Sequence, residues 1–290
     1  MEIVAWIRKN IEILLIGFLL LAVIFLGWMI VAQKSDTLRV AFLNVGQGDA
    51  IFIEHRGVQI LVDGGRGGNV LSTLGDVMPF WDRSIDMLIA THPDADHIGG
   101  FPEVLDRFDV EYVIESGNVS DTGVYEAFAN AIVKEGCEHT IARAGYIIQL
   151  SNSAYIEFLF PDRMLEEVAK WEANTSSLIA RVVHGENTFL LTGDAPASVE
   201  TYLAGLYGDR ADSDVLKAGH HGSDTSSATV FLAATTPETV VVSAGCDNRY
   251  GHPDKEVIDR IEALGAELLG TCEEGAIVFE SDGESIVRIE

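Results

Sequence analysis

Apolar and polar residues alternate in short runs along most of the chain. The runs at 38–43, 50–54 and 58–62 are β-rich and are separated by turn-forming residues, which predicts three strands in an antiparallel opening. The glycine-rich segment 64–68 ends this pattern, and a helical stretch follows it. The short apolar run 85–90 then predicts a buried strand. From that point strands and helices alternate, which indicates an α/β protein.

The same alternation continues to the end of the chain. Two β-rich halves with helices between them favour two sheets packed face to face with helices outside, although periodicity alone does not determine that stacking. No repeat, low-complexity tract or long linker interrupts the pattern, so residues 36–290 are predicted to form one domain. Its further predicted strands are 110–114, 147–150, 155–160, 178–183, 188–191, 215–216, 240–243, 276–280 and 285–289, with helices at 101–108, 124–134, 197–206 and 255–264.

The first 35 residues have a different character. Residues 13–32 contain no charged or strongly polar side chain, and a helix rising about 1.5 Å per residue would carry them across roughly 30 Å of hydrocarbon. We therefore expect one membrane-spanning anchor within residues 1–35. A cleaved signal peptide is the alternative, but the run is long for one and no small-residue cleavage pattern follows it. Basic residues on the two flanks are nearly balanced, and we favour a single-pass topology with the domain outside the cytoplasm.

Charge and cysteine content narrow the possible functions. The net charge is −26, which opposes binding of nucleic acid through a broad basic face but does not exclude a local, metal-centred phosphate site. A strongly acidic chain is also compatible with a high-salt habitat. The cysteines Cys137, Cys246 and Cys272 show no CxxC spacing. They predict no disulfide framework, and a single bridge with one thiol left over stays open.

The segment THPDADHIGG at 91–100 directly follows the apolar strand. Imidazole nitrogens and carboxylate oxygens together suit borderline cations such as Zn²⁺ or Mn²⁺ and leave positions for water. A polar turn after a strand often contains aspartate and proline, but it rarely contains two histidines and two aspartates at this spacing. The segment therefore predicts a metal site with the candidate ligands His92, Asp94, Asp96 and His97.

This segment resembles the HxHxDH motif of the metallo-β-lactamase superfamily, with Asp94 in the place of the second histidine. That substitution is typical of the subgroup that contains the extracytoplasmic domain of ComEC-type DNA-uptake proteins and certain phosphorylcholine esterases. The resemblance extends over nearly all of residues 38–290. It implies an αββα four-layer sandwich that binds two divalent metal ions, Zn²⁺ or Mn²⁺.

Three other motifs resemble the same subgroup. The ILVDGG segment at 60–65 implies that Asp63 orients the metal-binding loop without binding metal. The LLTGD segment at 190–194 implies that Asp194 bridges the two metals. The VGQGD segment at 45–49 resembles the subgroup's opening signature, and its glycines suit a tight hairpin near the site. Alone, a strand-end aspartate or a glycine-rich turn would be interpreted as structural.

The GHHGS segment at 219–223 implies that one histidine completes the second metal site. We assign this role to His220 and expect His221 to bind or orient the substrate, with the reverse assignment left open. Ser223 is expected to support this pair or to contact substrate.

The NRYGHP segment at 248–253 resembles the NxYGHP segment of the subgroup. It implies that His252 meets an anionic group or protonates a leaving oxygen, with Asn248 and Tyr250 in support. Without the other motifs, a histidine before proline would be interpreted as a surface residue.

One part of the chain departs from the wider family. The third histidine that usually binds the first metal has no counterpart between residues 160 and 194. The histidine in that range, His184, lies in a predicted hairpin turn, at the wrong end of the strand. The NTSS segment at 174–177 stands there instead, and we expect Asn174 and Ser176 to support the site. The first metal is therefore expected to have fewer protein ligands. Two histidines outside every motif, His55 and His139, are predicted to lie at the surface.

The resemblance implies a two-metal hydrolase with a hydroxide bridging the metals as nucleophile. It assigns Asp94 and His92 to one metal, Asp96 and His97 to the other, and Asp194 to both. Asp96 would also orient the nucleophile, and His252 and Lys217 would assist at the substrate.

The leading hypothesis is hydrolysis of phosphodiesters, with DNA as the substrate. The alternatives are an esterase acting on choline-decorated polymers, a lactonase or β-lactamase, and a non-catalytic partner of a separate DNA-uptake channel.

Overall fold

The computed structural model describes residues 10, 11, 13, 15–26 and 36–289. The chain divides into two units, Met1–Asp36 and Thr37–Glu290. In the first unit residues 15–26 are helical, and the remainder of the expected anchor, at 14 and 27–32, lies outside the described residues. Among the helices formed by the described residues, none combines the length and apolarity needed to cross a membrane.

The second unit contains two sheets. Its strands are β1 (Leu38–Phe42), β2 (Ile51–His55), β3 (Val58–Val62), β4 (Ser84–Ala90), β5 (Asp109–Glu115), β6 (Glu138–Ile141), β7 (Ile147–Gln149), β8 (Ala154–Phe160), β9 (Ile179–His184), β10 (Asn187–Leu191), β11 (Val215–Lys217), β12 (Thr239–Val242), β13 (Glu267–Gly270), β14 (Ile277–Ser281) and β15 (Ile286–Ile289). The first sheet has the order β15-β14-β1-β2-β3-β4-β5-β6 and the second the order β13-β12-β11-β10-β9-β8-β7. The predicted antiparallel opening, β1 to β3, is confirmed.

Helices connect and cover the strands. They are α1 (Asn69–Val77), α2 (Ala95–Ile98), α3 (Phe101–Leu105), α4 (Gly123–Glu135), α5 (Leu165–Val168), α6 (Ala197–Tyr207), α7 (Thr229–Thr235), α8 (Lys255–Leu264) and α9 (Thr271–Glu274). Helix α4 begins at a capping residue, since the Thr122 side chain accepts a hydrogen bond from the Tyr125 amide, and it ends at Gly136 in a left-handed conformation.

Apolar residues form three layers, because the central strands bury both faces. In β2, Ile51 and Ile53 pack between the sheets, whereas Phe52 packs against helices on the outside. In β10, Phe189 points between the sheets and Leu190 points towards the helices that cover the second sheet. Helices therefore cover both outer faces, and the expected αββα sandwich is confirmed.

Some elements were not predicted. Strand β6 is the sequence EHTI and is largely exposed at a sheet edge, and β13 and the short helix α7 lacked a clear apolar period. The prediction that His55 lies at the surface is wrong: the residue is fully buried, with its Nε2 2.8 Å from Ser151 Oγ. His139 is 41% exposed, as expected. The single bridge left open by the sequence joins Cys246 and Cys272.

Candidate metal centre

The candidate ligands lie where parallel strands of both sheets end. The segment from His92 to His97 follows β4, which is parallel to β3. Asp194 follows β10 and His221 follows β11, and these two strands are also parallel. Carboxyl ends of adjacent parallel strands share one edge of a sheet, so each sheet delivers its ligands to one place.

Two glycines permit the close approach of the surrounding loops. A Cβ atom on Gly100 would lie 2.1 Å from the carbonyl oxygen of Gly64, next to Asp63. A Cβ atom on Gly48 would lie 2.2 Å from the carbonyl oxygen of Asp96, and Gly48 has a φ of 131°. Larger residues at either position would push the ligand loop away from its neighbours.

Three buried imidazole nitrogens converge on one carboxylate oxygen. The distances to Asp194 Oδ2 are 3.2 Å from His97 Nε2, 3.4 Å from His221 Nε2 and 4.0 Å from His92 Nε2. All three nitrogens are buried and have no hydrogen-bond partner among the described residues. Buried polar atoms are rarely left unpaired, and this donor set suits a divalent cation such as Zn²⁺.

Each of these histidines is oriented through its other nitrogen. His97 Nδ1 donates to Asp63 Oδ2 at 2.7 Å, and His221 Nδ1 donates to the Ser243 carbonyl at 2.9 Å. Thr91 Oγ1 donates to Asp63 at 2.7 Å, so it accepts from His92 Nδ1 at 3.0 Å. The Nε2 atoms are thereby left available as ligands.

Asp63 holds the ligand loop from a buried position. Besides His97, it accepts the Thr91 amide at 2.8 Å. Its φ of 57° is in the left-handed region, which a residue other than glycine seldom adopts. The residue therefore orients ligands, the role that the ILVDGG motif implied.

A second carboxylate, Asp49, lies beneath the ligands and was not among the predicted site residues. Its Oδ2 is 2.5 Å from Lys217 Nζ, and its Oδ1 is 3.4 Å from His221 Nδ1. The VGQGD motif contained this residue, but only its glycines were interpreted. We call the buried set the floor of the cavity: Asp49, Asp63, His97, Asp194, Lys217 and His221.

The expectation that Lys217 assists at the substrate requires correction. Its side chain is fully buried, and Nζ also donates to the Gly193 carbonyl at 2.9 Å and lies 3.7 Å from Asp194 Oδ1. Because the ammonium is enclosed by these acceptors, it balances the charge of the floor and does not reach substrate.

The two histidines of GHHGS have different environments. The His221 side chain is 2% exposed, and its Nε2 also lies 3.9 Å from Asp96 Oδ2. The His220 side chain is 30% exposed, and its Nε2 is 3.8 Å from Asp194 and 3.5 Å from the Asn174 amide. The geometry therefore favours His221 over His220 as the candidate ligand beside Asp96 and His97, which is the alternative that the sequence left open, and it places His220 on the cavity wall.

Both histidines have left-handed backbone conformations, with φ of 47° for His220 and 56° for His221. Such conformations cost of order 1–3 kcal/mol each and cluster at functional sites. Thr225 Oγ1 lies 2.9 Å from His220 Nδ1 and 2.9 Å from Ser223 Oγ. Ser223 thus orients the histidine through Thr225.

The NTSS segment contributes Asn174 and Ser177 to the site. Ser177 Oγ accepts the Asp194 amide at 3.2 Å and lies 3.4 Å from His92 Nδ1. The expected residue, Ser176, donates instead to the Ala173 carbonyl at 2.6 Å. The support that we assigned to Ser176 is therefore provided by its neighbour.

Exposed side chains surround the mouth of a cavity of about 330 Å³ above the floor. We call the following set the rim: Arg66, Asp94, Asp96, His220 and Tyr250. His252 also lines the cavity, and Asn248 braces its loop by accepting the His252 amide at 3.0 Å. The Tyr250 and His252 rings stack with centroids 5.7 Å apart.

Burial and charge act in opposite directions on the floor. Burial alone would lower the pKa of His97, but Asp194 and Asp63 raise it well above its usual value. Burial raises the pKa of Asp194, yet His221, His97 and Lys217 hold it well below the usual range. Burial lowers the pKa of His92, which favours the neutral ring, whereas His97 would have to lose its Nε2 proton on binding a metal.

Residues 43–245 match the family model described as "Metallo-beta-lactamase superfamily". The chain belongs to this superfamily of metal-dependent hydrolases, and its histidine and aspartate cluster is a candidate metal site.

Curated relatives include a competence protein and a ComE operon protein. Competence protein ComA of Neisseria gonorrhoeae is 32% identical over 252 residues, which are 86% of this chain and 33% of that protein. ComE operon protein 3 of Bacillus subtilis is 29% identical and matches 94% of this chain and 36% of that protein. The chain thus spans about a third of the length of these relatives. The ComEC-type resemblance is confirmed.

Solved structures share the fold at low identity. The metallo-beta-lactamase fold protein YhfI from Bacillus subtilis superposes with a TM-score of 0.57 at 12% identity, over 84% of this chain and all of that chain. CmlA, a diiron beta-hydroxylase from Streptomyces venezuelae, superposes with a TM-score of 0.53 at 17% identity, over 88% of this chain and 54% of that chain.

Proposed function

We propose that this protein is a membrane-anchored, metal-dependent phosphodiesterase that hydrolyses DNA outside the cytoplasm. The observation that carries the proposal is the convergence of three unpaired Nε2 atoms on Asp194 beneath an open cavity. When bound, a pair of divalent cations, Zn²⁺ or Mn²⁺, lowers the pKa of water and stabilises the charge that develops on a phosphoryl oxygen.

The side chains divide into two ligand groups that share Asp194. His92 and Asp94 would hold one cation, since His92 Nε2 is 3.8 Å from Asp94 Oδ2. Asp96, His97 and His221 would hold the other. Asp94 and Asp96 lie at the mouth of the cavity, so water and substrate can complete the coordination there.

His252 would act on the substrate from the side of the cavity. Burial lowers its pKa, so the ring is neutral near pH 7. A neutral imidazole can accept a proton as a general base, but it must first be protonated before it can act as a general acid. His220, whose ring centroid is 5.7 Å from that of His252, would complete a pair of imidazoles facing the substrate.

The names of the relatives support DNA as the substrate class, since they include a competence protein, a ComE operon protein and Recombination protein 2 of Haemophilus influenzae. The apolar run 13–32 supports the anchor, and described helical residues such as Phe18 and Leu21 expose 70% and 67% of their surface. The Cys246–Cys272 bridge fits an oxidising compartment.

The test uses the full chain in detergent. Bound metal is quantified after removal and restoration of Mn²⁺ or Zn²⁺, and hydrolysis of bis(p-nitrophenyl) phosphate and of DNA is measured. We expect about two metals per chain and activity that a chelator abolishes. Asp194→Asn should lose bound metal and at least about 10³-fold in activity, whereas Asp106→Asn, an exposed control, should lose neither.

Other outcomes replace the proposal. If activity is confined to p-nitrophenylphosphorylcholine, a lactone or a β-lactam, the metal-site assignment stands but the proposal of a nuclease is rejected. Hydrolysis of diesters that persists after complete removal of metal would reject the metal-dependent mechanism.

A further inference from the structure

In a chain with 19 basic and 45 acidic residues, Arg66 lines the cavity and Arg249 contacts Tyr250, another residue of the lining. Arg66 follows β3, lines the cavity and has a 54% exposed side chain, with Nη2 3.8 Å from Asp96 Oδ2. Arg249 belongs to the loop after β12 and is exposed. One arginine therefore comes from each sheet.

Arg249 ends a row of planar groups that leads to the buried ligands. Its guanidinium carbon lies 4.9 Å from the Tyr250 ring centroid, and Nη2 donates to the Tyr250 hydroxyl at 2.7 Å. The Tyr250 ring stacks on His252, whose centroid is 5.7 Å from that of His220. The row ends at His221, 6.1 Å from His220. The two contacts with Tyr250 thus fix the position of the guanidinium at the outer end of this row.

A guanidinium held in this way has two uses. It donates paired hydrogen bonds to a phosphate group, and its plane stacks on a nucleobase. The ion pair between Arg66 and Asp96 is long and partly exposed, so it competes weakly with a phosphate. A net charge of −26 provides no broad basic face for a duplex, and only an unpaired strand exposes the faces of its bases for stacking.

We propose that Arg66 and Arg249, the latter held on Tyr250, form a subsite that binds the phosphate and base next to the scissile bond of a single-stranded nucleic acid. This inference rests on the proposed phosphodiesterase function and adds its substrate form. Arg66 binds a backbone phosphate, and Arg249 binds the neighbouring phosphate or stacks on its base.

The experiment compares a substrate that fills the subsite with one that does not. Full-length wild type, Arg66→Gln and Arg249→Gln are assayed on a fluorescein-labelled oligothymidylate, on a duplex of the same length, and on bis(p-nitrophenyl) phosphate. Arg210→Gln is the matched control, because Arg210 lies over the Tyr207 ring in the same kind of contact, 5.5 Å away and outside the cavity. Binding of the oligothymidylate is followed by fluorescence anisotropy.

We expect the ratio of kcat/KM for oligothymidylate to kcat/KM for bis(p-nitrophenyl) phosphate to fall about tenfold in Arg66→Gln and in Arg249→Gln, mainly through KM. The slope of log KM against log salt should fall by about 0.7 per arginine removed. Arg210→Gln should retain wild-type values.

An unchanged ratio would overturn the subsite, since the arginines would then act through Asp96 or not at all. An equal fall for the duplex would overturn the single-strand assignment. If wild type hydrolyses neither diester, the proposed function fails by itself. Anisotropy then decides the subsite, which is retained if the arginine variants bind oligothymidylate more weakly and rejected if they bind it equally.

Discussion

The floor and the rim of the cavity lie side by side but differ in exposure. Floor side chains are at most 5% exposed, as for Asp194, whereas those of the rim range from 18% for Asp96 to 54% for Arg66. The floor fixes each histidine through its Nδ1, and the rim leaves carboxylates and a ring facing solvent. The floor thus supplies buried candidate ligands, whereas the rim combines the partly exposed candidate ligands Asp94 and Asp96 with side chains that face the substrate.

His220 and His221 show that the boundary can fall between two adjacent residues. Their left-handed backbone turns one ring into the floor and the other towards Asn174. Substitutions on the floor, or of the rim carboxylates, should therefore reduce metal binding or stability, whereas substitutions of Arg66, His220 or Tyr250 on the rim should reduce turnover of particular substrates.

The largest expected effect comes from exchanging these neighbours for alanine. His221→Ala should bind about one metal fewer per chain and lose on the order of 10³-fold in activity, because it removes a buried ligand. His220→Ala should retain its metal and lose about 10-fold to 100-fold in kcat. Metal analysis and bis(p-nitrophenyl) phosphate kinetics distinguish them. Metal loss in His220→Ala alone would restore the assignment made from the sequence.

The next effect concerns the charge balance of the floor. Lys217→Met leaves Asp49 buried without its ammonium, which should lower the free energy of unfolding by about 3–5 kcal/mol. Urea unfolding in a chelator measures it without a contribution from metal binding. The matched control is Lys134→Met, whose partner Asp106 is exposed, and it should show no measurable loss. Equal losses in the two variants would contradict a special role for the buried pair, and the double variant Asp49→Asn/Lys217→Met should recover most of the loss.

The contrast between floor and rim also explains what the sequence could predict. Contiguous motifs located His92 to His97, Asp194 and the GHHGS turn, because metal ligands at strand ends leave a short, recognisable spacing. The αββα layers followed from the resemblance, whereas periodicity gave most strands. The edge strand β6 escaped detection because its residues EHTI are mostly exposed and carry no apolar period.

Contacts between distant segments could not be predicted from the sequence. Asp49 forms an ion pair with Lys217, which lies 168 positions later in the sequence, and no local sequence pattern predicts such a pair. The backbone conformation of the NTSS segment determines that Ser177 contacts the site and Ser176 does not. His55 is buried beside His184, with ring centroids 5.2 Å apart, although no motif contains it.

The smallest expected effect is on the pH dependence of stability, and it concerns Glu200, which packs behind the GHHGS turn. This residue is buried, accepts the Ser227 and Ala228 amides at 2.9 and 2.7 Å, and would lie 2.9 Å from a Cβ atom on Gly219. Burial raises its pKa to about 7. The folded state therefore binds a proton more tightly than the unfolded chain, in which the pKa is about 4.5.

Because the pKa of Glu200 is higher in the folded state than in the unfolded chain, raising the pH should destabilise the fold. The contribution of Glu200 to stability is fully present below about pH 4.5 and is lost as the pH rises through about 7. From pH 5 to pH 8, wild type should lose about 2–3 kcal/mol more unfolding free energy than Glu200→Gln, which cannot ionise. Urea unfolding at the two pH values measures this difference, with the exposed Glu267→Gln as control. If Glu200→Gln shows the wild-type pH dependence, the support behind the turn does not titrate, and the pH sensitivity of the domain must arise on the floor or the rim.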